Sequence, residues 1–265
     1  MKALPNESDI AFYRAHGYFV LRQIVPPALV TDLRRTADQA RAIARRLHGP
    51  QAQRLQPLDR HAELDVKPLR DFVELPELRA AVQALLTPRH QISDVSTMAF
   101  LFEPADRCWA TEWHRDWRDH MNERQLAEVF AEGWERMAVD ETLFNQINCA
   151  LYEDTATWYV PGSHRRLENT PEEARAAKAA DRAAVENLQG ARSDAAQEMF
   201  LQTYCADMPG AVPLHLNTGD LAIYRSIGWH LGNYVPYRKR STLHCAAMTS
   251  EYRAFVERAA AVMAR

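Results

Sequence analysis

Glycine is scarce, with nine in 265 residues, about half the roughly 7% of an average chain. No two are spaced two apart, so there is no G-x-G-x-x-G, and none precedes a lysine, so there is no P-loop. Glycine-built nucleotide cradles are therefore excluded. Cysteine is equally sparse. Cys108, Cys149, Cys205 and Cys245 are scattered, with no C-x-x-C, which excludes a zinc ribbon and a redox dithiol. Single cysteines of this kind suit a reducing cytoplasm, where they act as small apolar residues. No apolar run reaches the ~18 residues of a membrane span, and Met1 to Glu7 lack the apolar core of a signal peptide. Positive charge is not in excess either. A net charge of −3 gives no footprint for nucleic acid. The expected partner is a small molecule, the expected location is the cytoplasm, and the oligomeric state stays open.

With 47% apolar and 25% charged residues, the chain suits one domain over 1–265 whose core needs no staple. Apolar residues at helical spacing predict a helix over 26–48, stopped by Gly49-Pro50, and another over 76–87. Residues 50–75 read as irregular. Short β-branched and aromatic runs then follow at 95–102, 145–152, 157–160, 211–216, 221–224, 229–235 and 241–248. Bounded by Pro, Gly, Asp and Asn, they predict antiparallel strands of a sandwich or barrel. Two helical inserts interrupt them. One covers about 119–138. The other covers about 170–205 and opens with Thr170-Pro171-Glu172-Glu173, a capping box with proline at the first helical position. Gly190 is expected to break the second insert, and a helix over 250–264 closes the chain.

The chemistry centres on Trp113-His114-Arg115-Asp116-Trp117. On a strand, residues i and i+2 share a face, so His114 and Asp116 can offer an imidazole and a carboxylate to one metal ion. Ten histidines and 35 acidic residues in 265 positions yield about one such pair by chance, so company matters. His61-Ala62-Glu63 is the other match and reads as surface. A third ligand would complete the 2-His-1-carboxylate triad of non-haem Fe(II), and His230 in Trp229-His230-Leu231-Gly232-Asn233 is the candidate. Ten residues later comes Arg240, whose planar fork can hold the distal carboxylate of a small diacid. Thr242 points to the same face and can add a hydroxyl donor. Asn148 either faces the cosubstrate or is an ordinary polar lining residue. Trp113, Trp117, Tyr152 and Trp158 flank the candidate metal site and either wall a substrate pocket or belong to the core. His164 reads as a turn-stabilising residue, not a ligand, and His120 as an outsider to the metal set.

In these strings the sequence resembles the phytanoyl-CoA dioxygenase family of Fe(II)/2-oxoglutarate oxygenases, from about residue 10 to 250. Phe12 to Leu21 resembles the family's opening strand and Trp113-His114-Arg115-Asp116 its W-H-x-D. Ala150-Leu151-Tyr152-Glu153-Asp154 leads to Val160-Pro161-Gly162-Ser163-His164, similar to its V-P-G-S-H hairpin. Gly219-Asp220-Leu221 resembles the turn before the distal histidine. The resemblance implies a mainly β, double-stranded β-helix core (jelly-roll, cupin-like) with flanking and inserted helices. It implies iron held by His114, Asp116 and His230, and 2-oxoglutarate clamped by Arg240. It also implies that O₂ oxidatively decarboxylates 2-oxoglutarate to succinate and CO₂ while a substrate C–H is oxidised. Asp116 argues against halogenation, because related halogenases replace this carboxylate with a small residue.

Three departures stand out. Many members carry a serine two residues after the distal histidine, helping to bind the cosubstrate, where this chain has Gly232; Thr242 is the expected substitute. The usual Asn-Gly before the hairpin is Thr157-Trp158. Segments 50–90, 119–143 and 165–208 match no family pattern. The expected activity is hydroxylation of a small metabolite or biosynthetic intermediate, with the inserts capping the pocket. The rivals are a cupin-like metal-dependent isomerase or hydrolase, and a catalytically silent binding protein on the same fold.

Overall fold

The computed structural model describes residues 4–179 and 193–265. Its helices are α1 (Glu7–His16), α2 (Pro27–His48), α3 (Lys67–Glu74), α4 (Pro76–Leu85), α5 (Glu123–Val129), α6 (Trp134–Val139), α7 (Pro171–Ala179), α8 (Asp194–Asp207) and α9 (Ser250–Met263). Its strands are β1 (Tyr18–Leu21), β2 (Arg54–Leu55), β3 (Gln91–Ile92), β4 (Ala99–Phe102), β5 (Trp109–Ala110), β6 (Asn145–Ala150), β7 (Thr157–Tyr159), β8 (Val212–Pro213), β9 (Leu221–Arg225), β10 (His230–Tyr234) and β11 (Ser241–Met248). They form a larger sheet in the order β1-β9-β6-β11-β4-β2, with β3 also on β11, and a smaller sheet in the order β5-β10-β7-β8. Neighbours are antiparallel throughout. This is the expected jelly-roll class, though the two sheets do not close into a barrel.

The two-residue period of a strand decides what each residue faces. On β6, β9 and β11 of the larger sheet, Ile147, Cys149, Leu221, Ile223, Leu243 and Cys245 point to the helix side. There they share a core with Leu33, Ala37 and Ala40 of α2, and with Leu69, Phe72 and Leu78 of α3 and α4. The alternate residues turn inward. Ala150, Ala222 and Tyr224 meet Tyr159 of the smaller sheet and Leu214 and Leu216 beside it. The polar Asn148, Thr242 and His244 occupy this same inner face. The sheet thus has a dry outer face and a partly polar inner one, and any site must lie between the sheets.

The long helices lie where expected, and Thr170 and Glu173 form the predicted reciprocal cap. Four local expectations are corrected. Residues 7–16 are helical, because the Asn6 side chain caps Ser8 and Asp9 and the Asp9 carboxylate returns to the Asn6 amide. The irregular 50–75 stretch contains α3, started by Pro68 near its N-terminus. Residues 95–97 form a 3₁₀ turn, so the strand begins only at Ala99. The first insert is split by Gly133, which adopts φ +91° between α5 and α6. The break expected at Gly190 lies outside the described residues.

Neither insert lines the inter-sheet cavity with its described residues. The first packs Val129, Phe130, Trp134 and Met137 against Phe144 and Phe255. The second lays Tyr204, Cys205 and Met208 on the outer side of the smaller sheet. Their described apolar residues back the sheets, and the second insert reaches the site only at its edge, where Glu198 and Gln202 line a small cavity beside Arg240.

Candidate metal centre

His114, Asp116 and His230 come together as the spacing predicted, with one ligand atom from each lying within 4.8 Å of the others. Each histidine Nε2 is 3.9 Å from the same Asp116 oxygen, Oδ1. His230 opens β10. His114 is not in a strand, as the sequence suggested, but makes a single antiparallel bridge to His230. Their backbones exchange hydrogen bonds of 3.0 and 3.1 Å. The ladder ends there because His230 is the first residue of β10, and three residues past His114 Trp117 takes φ +67°. The Asp116 amide is still held, donating to the Ser226 carbonyl at 2.9 Å.

Both imidazoles are oriented alike. His114 Nδ1 lies 2.7 Å from the Glu112 carbonyl and His230 Nδ1 lies 2.9 Å from that of Gly228. A carbonyl can only accept, so Nδ1 carries the proton and the Nε2 lone pair faces Asp116. Burial, with the neighbouring His114 second, pushes His230 down to about 4, so its Nε2 stays unprotonated at neutral pH. Two imidazole nitrogens and a carboxylate on one side of a site suit Fe(II) and leave positions open for other ligands.

Between the two ligands of the loop, Arg115 turns the other way and is fully buried. It donates to the Arg166 and Leu167 carbonyls at 2.9 and 2.7 Å and to Asn169 Oδ1 at 2.6 Å. Its guanidinium also faces the Trp229 and Trp134 rings, 5.0 and 5.7 Å from their centroids. Desolvation pushes it down to about 9. Arg115→Met is expected to cost about 3 kcal/mol, because it leaves buried carbonyls unpaired. A thermal melt checks this, and the variant should hold iron less tightly because the loop carrying His114 and Asp116 loses its anchor. An unchanged melt would show that Arg115 does not anchor the loop.

Arg240 is 5% exposed. Its Nε donates to Asp154 Oδ2 at 3.0 Å, while Nη1 and Nη2 have no hydrogen-bond partner among the described residues. Two buried, unpaired guanidinium N–H groups are costly unless a ligand takes them, and a bidentate carboxylate has the matching shape. Thr242 does not reach out as expected. Its hydroxyl donates to the same Asp154 oxygen at 2.9 Å. Asp154 is thus a residue the sequence reading quoted without assigning a role: buried, fixed by the Ala156 amide at Oδ1, and aiming Arg240.

Asn148 is in the inter-sheet wall, inside a chain of oriented hydrogen bonds. His244 Nδ1 meets Asn148 Oδ1 at 2.7 Å and His244 Nε2 meets Gln146 Nε2 at 2.9 Å. Burial pushes His244 down to about 3, so the neutral ring donates to Asn148 and accepts from Gln146. Asn148 then donates to Thr157 at 3.1 Å. Nothing in its local string marks Gln146, and His244 reads from sequence only as a surface or hydrogen-bonded structural histidine.

A cavity of about 310 Å³ opens on the triad, walled by Trp109, Gln146, Asn148, Tyr224, Tyr234 and His244 among others. The four aromatics expected there are elsewhere. Trp113 and Trp158 lie in the cluster under α8, on the outer side of the smaller sheet. Trp117 donates to the Tyr252 hydroxyl and meets the Phe255 ring edge-on. Tyr152 lies under the Arg34 guanidinium, 4.2 Å from it. A larger cavity of about 730 Å³, lined by Tyr13, Arg14, Glu141, His164 and Arg225, contains no triad residue, so size alone would choose the wrong one. His164 is buried and outside the metal set, its carbonyl accepting from Trp134 Nε1. His120 has its ring 6.4 Å from His114 and stays outside the triad.

No curated protein sequence matches the chain. Solved structures share the fold at low identity. AviO1 from Streptomyces viridochromogenes Tue57 is 16% identical over 95% of this chain and 98% of its own, with a TM-score of 0.58. EctD from S. alaskensis, solved with 2-oxoglutarate and 5-hydroxyectoine, is 17% identical over 93% and 77%, with a TM-score of 0.56. SnoK, an alpha-ketoglutarate-dependent carbocyclase from nogalamycin biosynthesis, is 16% identical over 93% and 85%, with a TM-score of 0.55. The profile of the phytanoyl-CoA dioxygenase (PhyH) family matches residues 13–233. The chain therefore belongs to the phytanoyl-CoA dioxygenase family and with it to the enzymes that depend on non-haem iron and 2-oxoglutarate.

Proposed function

We propose that this single-domain protein hydroxylates an unactivated C–H of a small metabolite or natural-product intermediate in the cytoplasm. His114, Asp116 and His230 would hold Fe(II), and Arg240 would hold 2-oxoglutarate. The observation that carries this reading is the pairing of the oriented triad with a buried arginine whose two terminal nitrogens lack hydrogen-bond partners among the described residues. Iron with 2-oxoglutarate and O₂ supplies the oxidising power, and succinate and CO₂ leave. The chain's own residues do the rest. The Glu112 and Gly228 carbonyls fix the ligand tautomers, Asp154 fixes Arg240, and the Gln146–His244–Asn148 chain presents a neutral polar wall to the substrate.

Purified protein given Fe(II), 2-oxoglutarate, O₂ and candidate substrates should form succinate, together with a product that has gained one oxygen atom. SnoK's carbocyclase chemistry makes the product's mass the deciding measurement, since ring closure or desaturation adds no oxygen. Succinate formation that ignores iron, or a reaction needing no 2-oxoglutarate, would favour the isomerase or hydrolase reading instead.

A further inference from the structure

Position 232 lacks the side chain that a hydroxyl donor beside the distal histidine would need. Strand β10 shows why. His230, Gly232 and Tyr234 alternate onto one face, and all three line the triad cavity. The Tyr234 ring leans back along the strand over Gly232. A methyl group built on Gly232 would meet Tyr234 Cζ at 2.5 Å and Cε2 at 2.7 Å, with the hydroxyl closer still. The ring is fixed there by stacking on Trp109, with centroids 5.2 Å apart, and by the Arg240 guanidinium 4.5 Å from its centroid.

Tyr234 also stands on the route between metal and arginine. It lines the triad cavity and a small one of about 60 Å³ that Arg240 borders, so a diacid reaching from the triad to Arg240 must run along it. Of the other nearby hydroxyls, Thr242 gives its proton to Asp154, while Thr157 and Tyr224 accept from Asn148 and Thr111 accepts from the Gly232 amide, contacts that fix where these three oxygens sit. The Tyr234 phenol has no hydrogen-bond partner among the described residues.

We infer that the Tyr234 hydroxyl completes the cosubstrate's carboxylate site beside Arg240, in the place a side chain at 232 would fill. The inference rests on the 2-oxoglutarate reading above. Gly232 is then not a lost contact but the space that lets a longer side chain supply it from two residues away.

The test is an anaerobic titration of the Fe(II)-loaded protein with 2-oxoglutarate, read by the charge-transfer absorbance of a 2-oxo acid chelated to iron. Tyr234→Phe should bind about tenfold more weakly, the worth of one hydrogen bond to a charged group. Its Fe(II) affinity and melting temperature should match the wild type. Gly232→Ser should bind at least as weakly, because its Cβ displaces the ring. Gly232→Ser combined with Tyr234→Ala should bind more tightly than Tyr234→Ala alone, since the serine then supplies the hydroxyl. Unchanged affinity in Tyr234→Phe, or no rescue by serine, overturns the inference. Absence of the absorbance in the wild type instead overturns the cosubstrate reading itself.

Discussion

His230→Ala is expected to lose iron and to lower 2-oxoglutarate-dependent succinate formation by well over the roughly hundredfold that follows removal of a residue merely supporting a metal ligand. His230 is buried and locked by the Gly228 carbonyl, and among the described residues no fourth His, Cys, Asp or Glu joins the ligand set. His120 is the one other imidazole close to His114, yet it is outside the ligand set. Removing a buried imidazole with one hydrogen bond should leave the fold intact, so circular dichroism would match the wild type while metal content falls. Full iron retention in the alanine variant would rule out this triad as the metal site.

Arg240→Met should weaken 2-oxoglutarate binding by about a hundredfold or more, because two charge-assisted hydrogen bonds of ~1.5–3 kcal/mol each are lost. It should also destabilise the protein by about 3–5 kcal/mol, since Asp154 is left buried without its cation. The two effects separate in a double variant. Arg240→Met with Asp154→Asn should recover much of the melting temperature and none of the binding. If binding returned with stability, Arg240 would be holding the fold and not the cosubstrate.

The parts of this site that were legible in the sequence are those written in short strings. His114 and Asp116 sit two apart, His230 follows a turn marked by Gly219-Asp220, and Thr170 announces its helix with Glu173 three residues on. Each signal is local. Asp154 and Tyr234 act through partners far away in the chain or through the shape of a neighbour. The aromatic residues around the triad were misplaced for a related reason. Trp113, Trp158 and Trp229 cluster under α8, while His114, Thr157 and His230 line the cavity. Adjacent residues on an extended chain face opposite ways, so flanking a ligand in sequence puts a tryptophan on the far side. The inserts were recognisable as helices from composition, but where they dock depends on which outer surfaces the sheets leave bare.

The same alternation has a consequence for how such a protein survives its own chemistry. The buried thiols of Cys149 and Cys245 point away from the inter-sheet space, into the helix-covered core, while their neighbours Asn148 and His244 line the cavity. Burial holds Cys149 up at about 12 and Cys245 well above the usual thiol range, and Cys205, behind the smaller sheet, is pushed up to about 12 as well. Oxidants attack thiolates, not thiols. One pleat of backbone therefore separates the iron-facing wall from sulfur that is kept protonated, and an oxidant released at the metal would meet tyrosine and tryptophan rings before any of these three cysteines.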